Sequence, residues 1–470
     1  MNTTNTVQKI WNLCNVLRGD GISYTEYISE LTYLLFLKIA KENGTEDLLP
    51  SGYRWNDLVS YSDDNLLLYY QEMLTHLGGE ANKIVREIYK FPTTVFSHSE
   101  NLKVVIDGID KLSWHSLSID GIGDIYEGLL SKNSEDSRSG AGQYFTPRAL
   151  VDSIIKVMQP ELGETIQDPA SGTGGFLISA DKYLRDKHSF TSYKSKTPYY
   201  EGLEIEKGTY RLCLMNTFLH KMDANIILGD ALTDDAKELK PADLIIANPP
   251  FGSKSGSVRE KRKDIKLSSS NKQLDFLQHI YQGLKTGGRA AVVLPDNVLF
   301  EEGVGQKIRQ DLMEKCNLHT ILRLPIGIFY ANGVKTNVLF FTRGQNNKGN
   351  TKNTWIYDLR SNMPSFGKRT PLTQEYFDEF ISNYGYDPYG KAKRKDEGHE
   401  GRFRKFSRDE IRKLNDNLDI HWLRDKAGNK QELLEPDVIA TQIMDKLQVA
   451  LSEMEALKET LDASFEVKNE

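Results

Sequence analysis

The sequence predicts an α/β protein in which a parallel sheet follows a helical N-terminal region and precedes a helical C-terminal arm. Three observations predict it. From about residue 141, short apolar runs alternate with helix-like stretches, the pattern of strand-helix-strand units with parallel strands. Before that point, apolar residues recur at helical spacings. Beyond Pro436, a regular seam of apolar residues marks a terminal helix.

A chain of 470 residues exceeds what one hydrophobic core usually supports, so more than one domain is expected. The boundaries we read are 1–135 for the helical N-terminal domain, 136–375 for the sheet domain and 376–470 for the C-terminal region. In the first, Tyr24, Ile28, Leu31, Leu35 and Ile39 are spaced by threes and fours, and Asp107 to Leu130 continues in short apolar periods. Ser131 to Gly142, rich in Ser, Asp, Gly and Asn, reads as a linker.

Strands are expected at Thr165-Ile166, Tyr199 to Ile205, Asn225 to Leu228, Leu244 to Ala247, Ala290 to Leu294, Thr320 to Leu324 and Val338 to Phe341, one of them reversed. After about residue 375 the chain turns polar and irregular. From Ile443, the residues Leu447, Ala450, Met454, Leu457 and Leu461 follow spacings of four, three, four, three and four. That is either a coiled-coil seam for docking another subunit or an amphipathic helix packed on its own domain.

Composition narrows the function. The apolar and charged fractions are those of an ordinary soluble protein. The polar start from Met1 to Lys9 lacks a signal peptide's apolar stretch, and Leu31 to Ala40 is too short to span a bilayer. No membrane association is therefore expected. Cys14, Cys213 and Cys316 lack disulfide or metal-ligand spacing, which fits a cytoplasmic protein without a metal site. A formal charge of −6 argues against a chain that grips duplex DNA unaided. Local basic runs do occur: Lys254, Arg259, Lys261, Arg262, Lys263 and Lys266, then Lys391 to Arg408.

The residues that carry chemistry lie at predicted strand ends. Leu244 to Ala247 stops in Asn248-Pro249-Pro250-Phe251; proline cannot donate to a ladder, so the strand must end in a loop. At the carboxyl edge of an open α/β sheet, such a loop is where ligands bind. Asn248 offers a side-chain carbonyl, Pro249 a backbone carbonyl and Phe251 a flat apolar face, which together suit a planar group with an exocyclic amine. Asn-Pro is also a common turn opener.

Asp168-Pro169-Ala170-Ser171-Gly172-Thr173-Gly174-Gly175-Phe176 joins the first strand to a helix. Its glycines permit a sharp turn and close approach to a ligand. Such a turn fits NAD, FAD or a nucleoside; without a basic residue it is not a Walker-type phosphate cradle. Glu204 ends the second strand and Asp230 follows the third, placed to accept from ribose hydroxyls and an adenine amino group respectively. Glu204 lies 30 residues beyond Gly174 against a usual ~20, the polar stretch Asp186 to Thr197 accounting for the excess. Upstream, Gly142-Gln143-Tyr144-Phe145-Thr146-Pro147-Arg148 precedes an apolar helix. Thr146 is expected as its N-cap and Pro147 at its first position, with Tyr144 and Phe145 walling the cofactor site.

With these segments the chain resembles the modification (methyltransferase) subunit of type I restriction-modification systems, S-adenosylmethionine-dependent adenine-N6 DNA methyltransferases. The resemblance rests on Gly142 to Arg148, Asp168 to Phe176, Gly202-Leu203-Glu204, Gly229-Asp230-Ala231 and Asn248 to Phe251, in that order, with Gly287 to Pro295 and Lys335 to Phe341 downstream. It implies a Rossmann-like sheet that binds S-adenosylmethionine through Gln143, Tyr144, Phe145, Thr146, Asp168, Ser171, Gly172, Thr173, Gly174, Glu204 and Asp230. It implies catalysis by Asn248, Pro249, Pro250 and Phe251. Fewer than a hundred residues follow position 375, so target recognition is assigned to a separate specificity subunit. Double-stranded DNA, a second copy of this chain and a restriction nuclease subunit are the other implied partners. Methylation of a protein glutamine amide, and a noncatalytic cofactor-binding scaffold, are the competing readings.

Overall fold

The computed structural model describes residues 3–15, 22, 24–61, 65–80, 82–112, 114, 119–136, 146–251, 262–267, 269, 271–329, 334–364, 366 and 370–423. The expected terminal seam and the residues Gln143, Tyr144 and Phe145 lie outside these. Helices α1 (Thr3–Leu13), α2 (Tyr24–Glu42), α3 (Trp55–Ser60), α4 (Leu66–Leu77), α5 (Lys83–Ile88), α6 (Ser99–Asp110) and α7 (Ile119–Asp136) come first. Next are α8 (Arg148–Met158), β1 (Thr165–Asp168), α9 (Gly175–Lys187), α10 (Phe190–Ser195), β2 (Tyr199–Glu204), α11 (Lys207–Leu219), β3 (Ala224–Leu228) and β4 (Ala242–Ala247). Then follow α12 (Lys272–Gly283), β5 (Leu284–Pro295), α13 (Asn297–Phe300), α14 (Val304–Lys315), β6 (Cys316–Arg323), β7 (Thr336–Arg343), β8 (Asn353–Asp358), α15 (Asp378–Tyr384), β9 (Phe403–Ser407) and α16 (Arg408–Lys413).

The described residues form two compact units. One draws on Met1–Phe145, Gly172–Gly174 and Glu204–Leu228; the other on Thr146–Ser171, Gly175–Leu203 and Gly229–Glu470. In the first, α2 is apolar on nearly every face, and Ile28, Leu31, Leu34, Leu35 and Ile39 are all buried, as a central helix requires. Two charges are buried with it. Lys38 pairs with Glu42 at 2.8 Å and Asp110 at 2.9 Å. Glu30 accepts from Tyr70 Oη at 2.6 Å and Val95 N at 2.9 Å, and burial pushes its carboxyl up to about 7. Arg211 on α11 donates to the carbonyl of Ile88 at 2.8 Å, satisfying the free end of α5, and to that of Lys90 just beyond it at 3.1 Å.

Helix α7 runs through Ser131 to Asp136, where a linker was expected. Those six residues are polar but contain neither glycine nor proline, so nothing stops the helix.

The sheet has nine strands in the order β3-β2-β1-β4-β5-β7-β6-β8-β9. Strand β1 is parallel to β2 and β4, and β4 to β5, with Asp168 beside Gly202 and Ala247 beside Val292. The carboxyl ends of these central strands therefore share one edge, the ligand-binding edge of open α/β sheets. The expected reversed strand is β7, inserted between β5 and β6 and antiparallel to both. A second reversed strand, β9, pairs antiparallel with β8, so the sheet continues past residue 375. Neither β8 nor β9 was expected: β9 is Phe403-Arg404-Lys405-Phe406-Ser407, whose two buried phenylalanines sit among basic residues. Cys316 lies in the core, where burial pushes its thiol up to about 12; Cys14 and Cys213 are buried and unlinked as well.

Arg289 on β5 is fully buried and ties the sheet to the end of α8. It donates to the carbonyls of Met158 and Gln159, each at 2.8 Å, and pairs with Glu164 at 2.6 Å. Removing one partner of such a pair leaves the other uncompensated. Arg289→Ala is expected to lower stability by about 3–5 kcal/mol, seen as a lower urea midpoint at unchanged slope; a midpoint equal to the native one would show that the staple is not needed.

Candidate active site

Leu244, Ile245, Ile246 and Ala247 are buried between the layers of the sheet domain, and β4 ends where Pro249 and Pro250 remove the next amide protons. Asn248 is half-buried there. Its Nδ2 donates to Thr146 Oγ1 at 3.0 Å, while its buried Oδ1 has no hydrogen-bond partner among the described residues. The carbonyl of Pro250 accepts from Gln273 Nε2 at 2.9 Å. Gln273 sits in the first turn of α12, whose N-cap Asn271 accepts from the amides of Gln273 and Leu274. The Phe251 ring meets Phe329 edge-on with centroids 5.5 Å apart, a favoured aromatic geometry. The loop is thus braced at its first, third and fourth residues.

Thr146 is not the N-cap of α8. The helix begins at Arg148 with Pro147 in the cap position, and no side chain caps it. Proline restricts the residue before it to extended backbone, which moves Thr146 out of the helix and frees its hydroxyl to receive Asn248.

The glycine-rich turn has the backbone its sequence predicts. Asp168, ending β1, accepts from the amide of Ala170 at 3.0 Å, a side-chain-stabilised turn. Ser171 is buried and its amide donates to the Leu203 carbonyl at 3.0 Å. In the other unit, Gly172 and Gly174 adopt φ of 54° and 85°, where a Cβ would be strained. The Thr173 carbonyl accepts from Asn216 Nδ2 at 3.0 Å. Gly172 N donates to Glu204 Oε2 at 2.9 Å, and Glu206 N to Oε1 at 2.8 Å. Each oxygen of Glu204 therefore holds one backbone amide and keeps a lone pair for another donor. Asp230 accepts from Leu232 N through Oδ1 at 2.9 Å; its Oδ2 receives no hydrogen bond from the described residues.

Sequence reasoning missed Gln273, Phe329 and the partner of Thr146. A detectable signal existed for Phe329 alone, an aromatic shortly after a strand end. Asp296 follows β5 at the same edge and could have been taken for a third ligand-binding acid. Instead Arg360 grips it with two 2.8 Å hydrogen bonds, and Asn337 adds a third at 2.8 Å. Burial opposes its ionisation, but the guanidinium holds its carboxyl below the ordinary range.

The basic runs are partly consumed internally. Arg262 bonds Asp264 at 2.9 Å and His279 Nδ1 at 2.6 Å, and burial with the neighbouring guanidinium lowers His279 to about 3. Lys263 and Lys266 are exposed; Lys254, Arg259 and Lys261 lie outside the described residues. Within Lys391 to Arg408, Arg394 donates to Thr320 and Arg402 to the carbonyls of Asp358 and Ser361. Arg408 pairs with Asp416.

Comparison with known proteins decides the family. The N-6 DNA Methylase family profile matches residues 117–431. The chain belongs to the N-6 DNA methylase family. A second profile, the HsdM N-terminal domain, matches residues 6–109, within the helices α1 to α6. Among relatives of this family, the type I restriction enzyme StySPI methylase subunit of Salmonella potsdam is 45% identical over 99% of this chain and 97% of its own. The EcoKI methylase subunit of Escherichia coli K12 shows the same identity and coverage. Its crystal structure aligns at TM-score 0.57 and 42% identity, over 97% of this chain and 96% of that one. A chain from a structural study of complex assembly in the type I R-M system aligns at TM-score 0.76 and 28% identity, over 97% and 98%.

Glu204 generates a pH prediction. Burial pushes its carboxyl up to about 7, against an ordinary 4.5, despite the amides of Glu206 and Gly172. The folded state thus binds this proton more tightly than the unfolded chain, so the stability it contributes is complete below about 4.5 and is lost as pH rises through about 7. Glu204→Gln, which cannot ionise, should gain melting temperature relative to the native protein between pH 5 and pH 8. A difference that stays constant with pH would mean the carboxyl is ionised throughout.

Proposed function

We propose that Asn248, Pro249, Pro250 and Phe251 form the site at which N6 of an adenine in DNA accepts a methyl group, the chain acting as the modification subunit of a type I restriction-modification system. The carrying observation is the unpartnered Oδ1 of Asn248 at the end of a proline-stopped strand in an N-6 DNA methylase. An adenine N6 amine carries two hydrogens. The Asn248 Oδ1 and the Pro249 carbonyl accept them, leaving the nitrogen lone pair directed away from both. Phe251, held by Phe329, stacks on the base after it leaves the duplex, offsetting that cost by about 1–3 kcal/mol.

S-adenosylmethionine supplies a methyl group already activated on a sulfonium sulfur. The residues present fit it: Gly172 and Gly174 offer backbone without a Cβ, Glu204 retains acceptor capacity toward ribose hydroxyls, and Asp230 Oδ2 suits an adenine amine. Asp168 and Ser171 shape the turn and Thr173 lies within it; from the sequence alone, Gln143 and Thr146 are assigned to the cofactor, with Tyr144 and Phe145 as a wall beside it. With an activated donor, alignment and electrostatics supply most of the acceleration.

The negative charge of the chain and the internal use of its arginines support delegation of sequence reading to a specificity subunit. A second copy of this chain and a nuclease subunit complete the proposed assembly on double-stranded DNA. Among the described residues no helix is long and apolar enough to cross a membrane, and a cytoplasmic location is proposed.

Incubating the chain and its specificity subunit with labelled S-adenosylmethionine and target DNA should place label on adenine. Label in a protein glutamine would support the amide-methylating alternative, and no label at all a scaffold role. Asn248→Ala should reduce DNA methylation by about 10²-fold or more, with cofactor affinity by calorimetry nearly unchanged. Native-rate methylation by that variant would remove Asn248 from the mechanism.

A further inference from the structure

Thr146 is expected among the cofactor-binding residues, and its hydroxyl also accepts from Asn248. We propose that Thr146 is a positioning residue for methyl transfer, its hydroxyl fixing the plane of the Asn248 amide so that Oδ1 meets the amine to be methylated. The inference rests on the reading of Asn248 given above and deepens it.

The two ends of an asparagine amide are almost the same shape and opposite in hydrogen-bonding character. Only the oxygen accepts from an amine; a flipped amide would set donor against donor. An asparagine free to rotate about its last torsion would divide its time between the two states. Here Thr146 Oγ1 accepts from Nδ2 at 3.0 Å and Oδ1 is buried without a partner among the described residues; the hydroxyl pins the amide plane, and because it could also donate, the incoming amine, which can donate only to Oδ1, selects the end. Pro250 O, the next carbonyl but one along, accepts from Gln273.

The Thr-Pro dipeptide explains how the hydroxyl is held. Pro147 has φ of −52° and occupies the cap position of α8, so Thr146 is confined to extended backbone. Its β-branch restricts χ1 further. Serine would supply the same oxygen with less restriction, and valine the same shape with no oxygen.

Three variants test this by single-turnover methylation at saturating cofactor and DNA. Thr146→Val should slow transfer by about 10- to 100-fold, with the cofactor dissociation constant within about twofold of native, since an unheld amide misorients without altering cofactor contacts. Thr146→Ser should recover the rate to within about threefold of native, the hydroxyl being restored. Thr146→Ala removes the oxygen without adding an apolar group, and serves if the valine variant fails to fold as judged by its melting curve. In an Asn248→Ala background, Thr146→Val should cause no further loss.

A native rate for the valine and alanine variants at saturating cofactor overturns the proposal, as does a loss that appears wholly as weaker cofactor binding. If Asn248→Ala itself methylates normally, the assignment of Asn248 falls, and this inference with it. If Asn248→Ala is inactive while the Thr146 variants are native, the inference about Thr146 alone falls.

Discussion

Two consecutive prolines at the end of a central strand set the constraint around which the sheet domain is arranged. Strand β4 lies between β1 and β5, and a strand so placed would ordinarily extend its ladder to the limit of its neighbours. Pro249 and Pro250 supply no amide protons, so the backbone must leave the sheet, and its polar groups must find partners elsewhere. The chain supplies them from three directions: Thr146 ahead of α8, Gln273 at the start of α12 and Phe329 after β6. Each comes from a different connection of the chain, so the loop's shape is a property of the whole domain.

The legible part of the fold was the part governed by one-dimensional pattern. Apolar runs flanked by glycine and proline gave β1 to β7, and strand-end logic gave Asp168, Glu204, Asp230 and Asn248. What stayed hidden depends on tertiary pairing. Strand β9 carries only two phenylalanines, Phe403 and Phe406, on either side of Arg404 and Lys405, and its identity as a strand comes from its ladder with β8. The end of α7 was hidden by the assumption that polar means loop. Thr146 was read as a cap because Thr-Pro before an apolar helix satisfies the local rule; a partner 102 residues away cannot be seen locally.

Buried arginines recur as the joints of the sheet domain. Arg289, Arg309 and Arg323 are almost inaccessible, and each donates to backbone carbonyls as well as facing carboxylates. Such groups are costly unless their donors are satisfied, and a planar fork with five donors can satisfy several orphan carbonyls at once. The same use of the guanidinium recurs within Lys391 to Arg408, where Arg394 and Arg402 hold backbone carbonyls while Lys391, Lys393, Lys395 and Lys405 stay exposed.

The place of β9 bears on how the sheet avoids unwanted association. Without it, β8 would present a row of unpaired amides and carbonyls along Thr354 to Tyr357, with Trp355 and Ile356 among its side chains, a ready template for strand addition by another chain. Strand β9 covers that row with Arg404 and Lys405, charges of the kind that discourage edge-to-edge pairing. A segment that looks like a polar tail is therefore the sheet's guard against polymerisation, and shortening the chain to its catalytic core would trade a smaller protein for a sticky one.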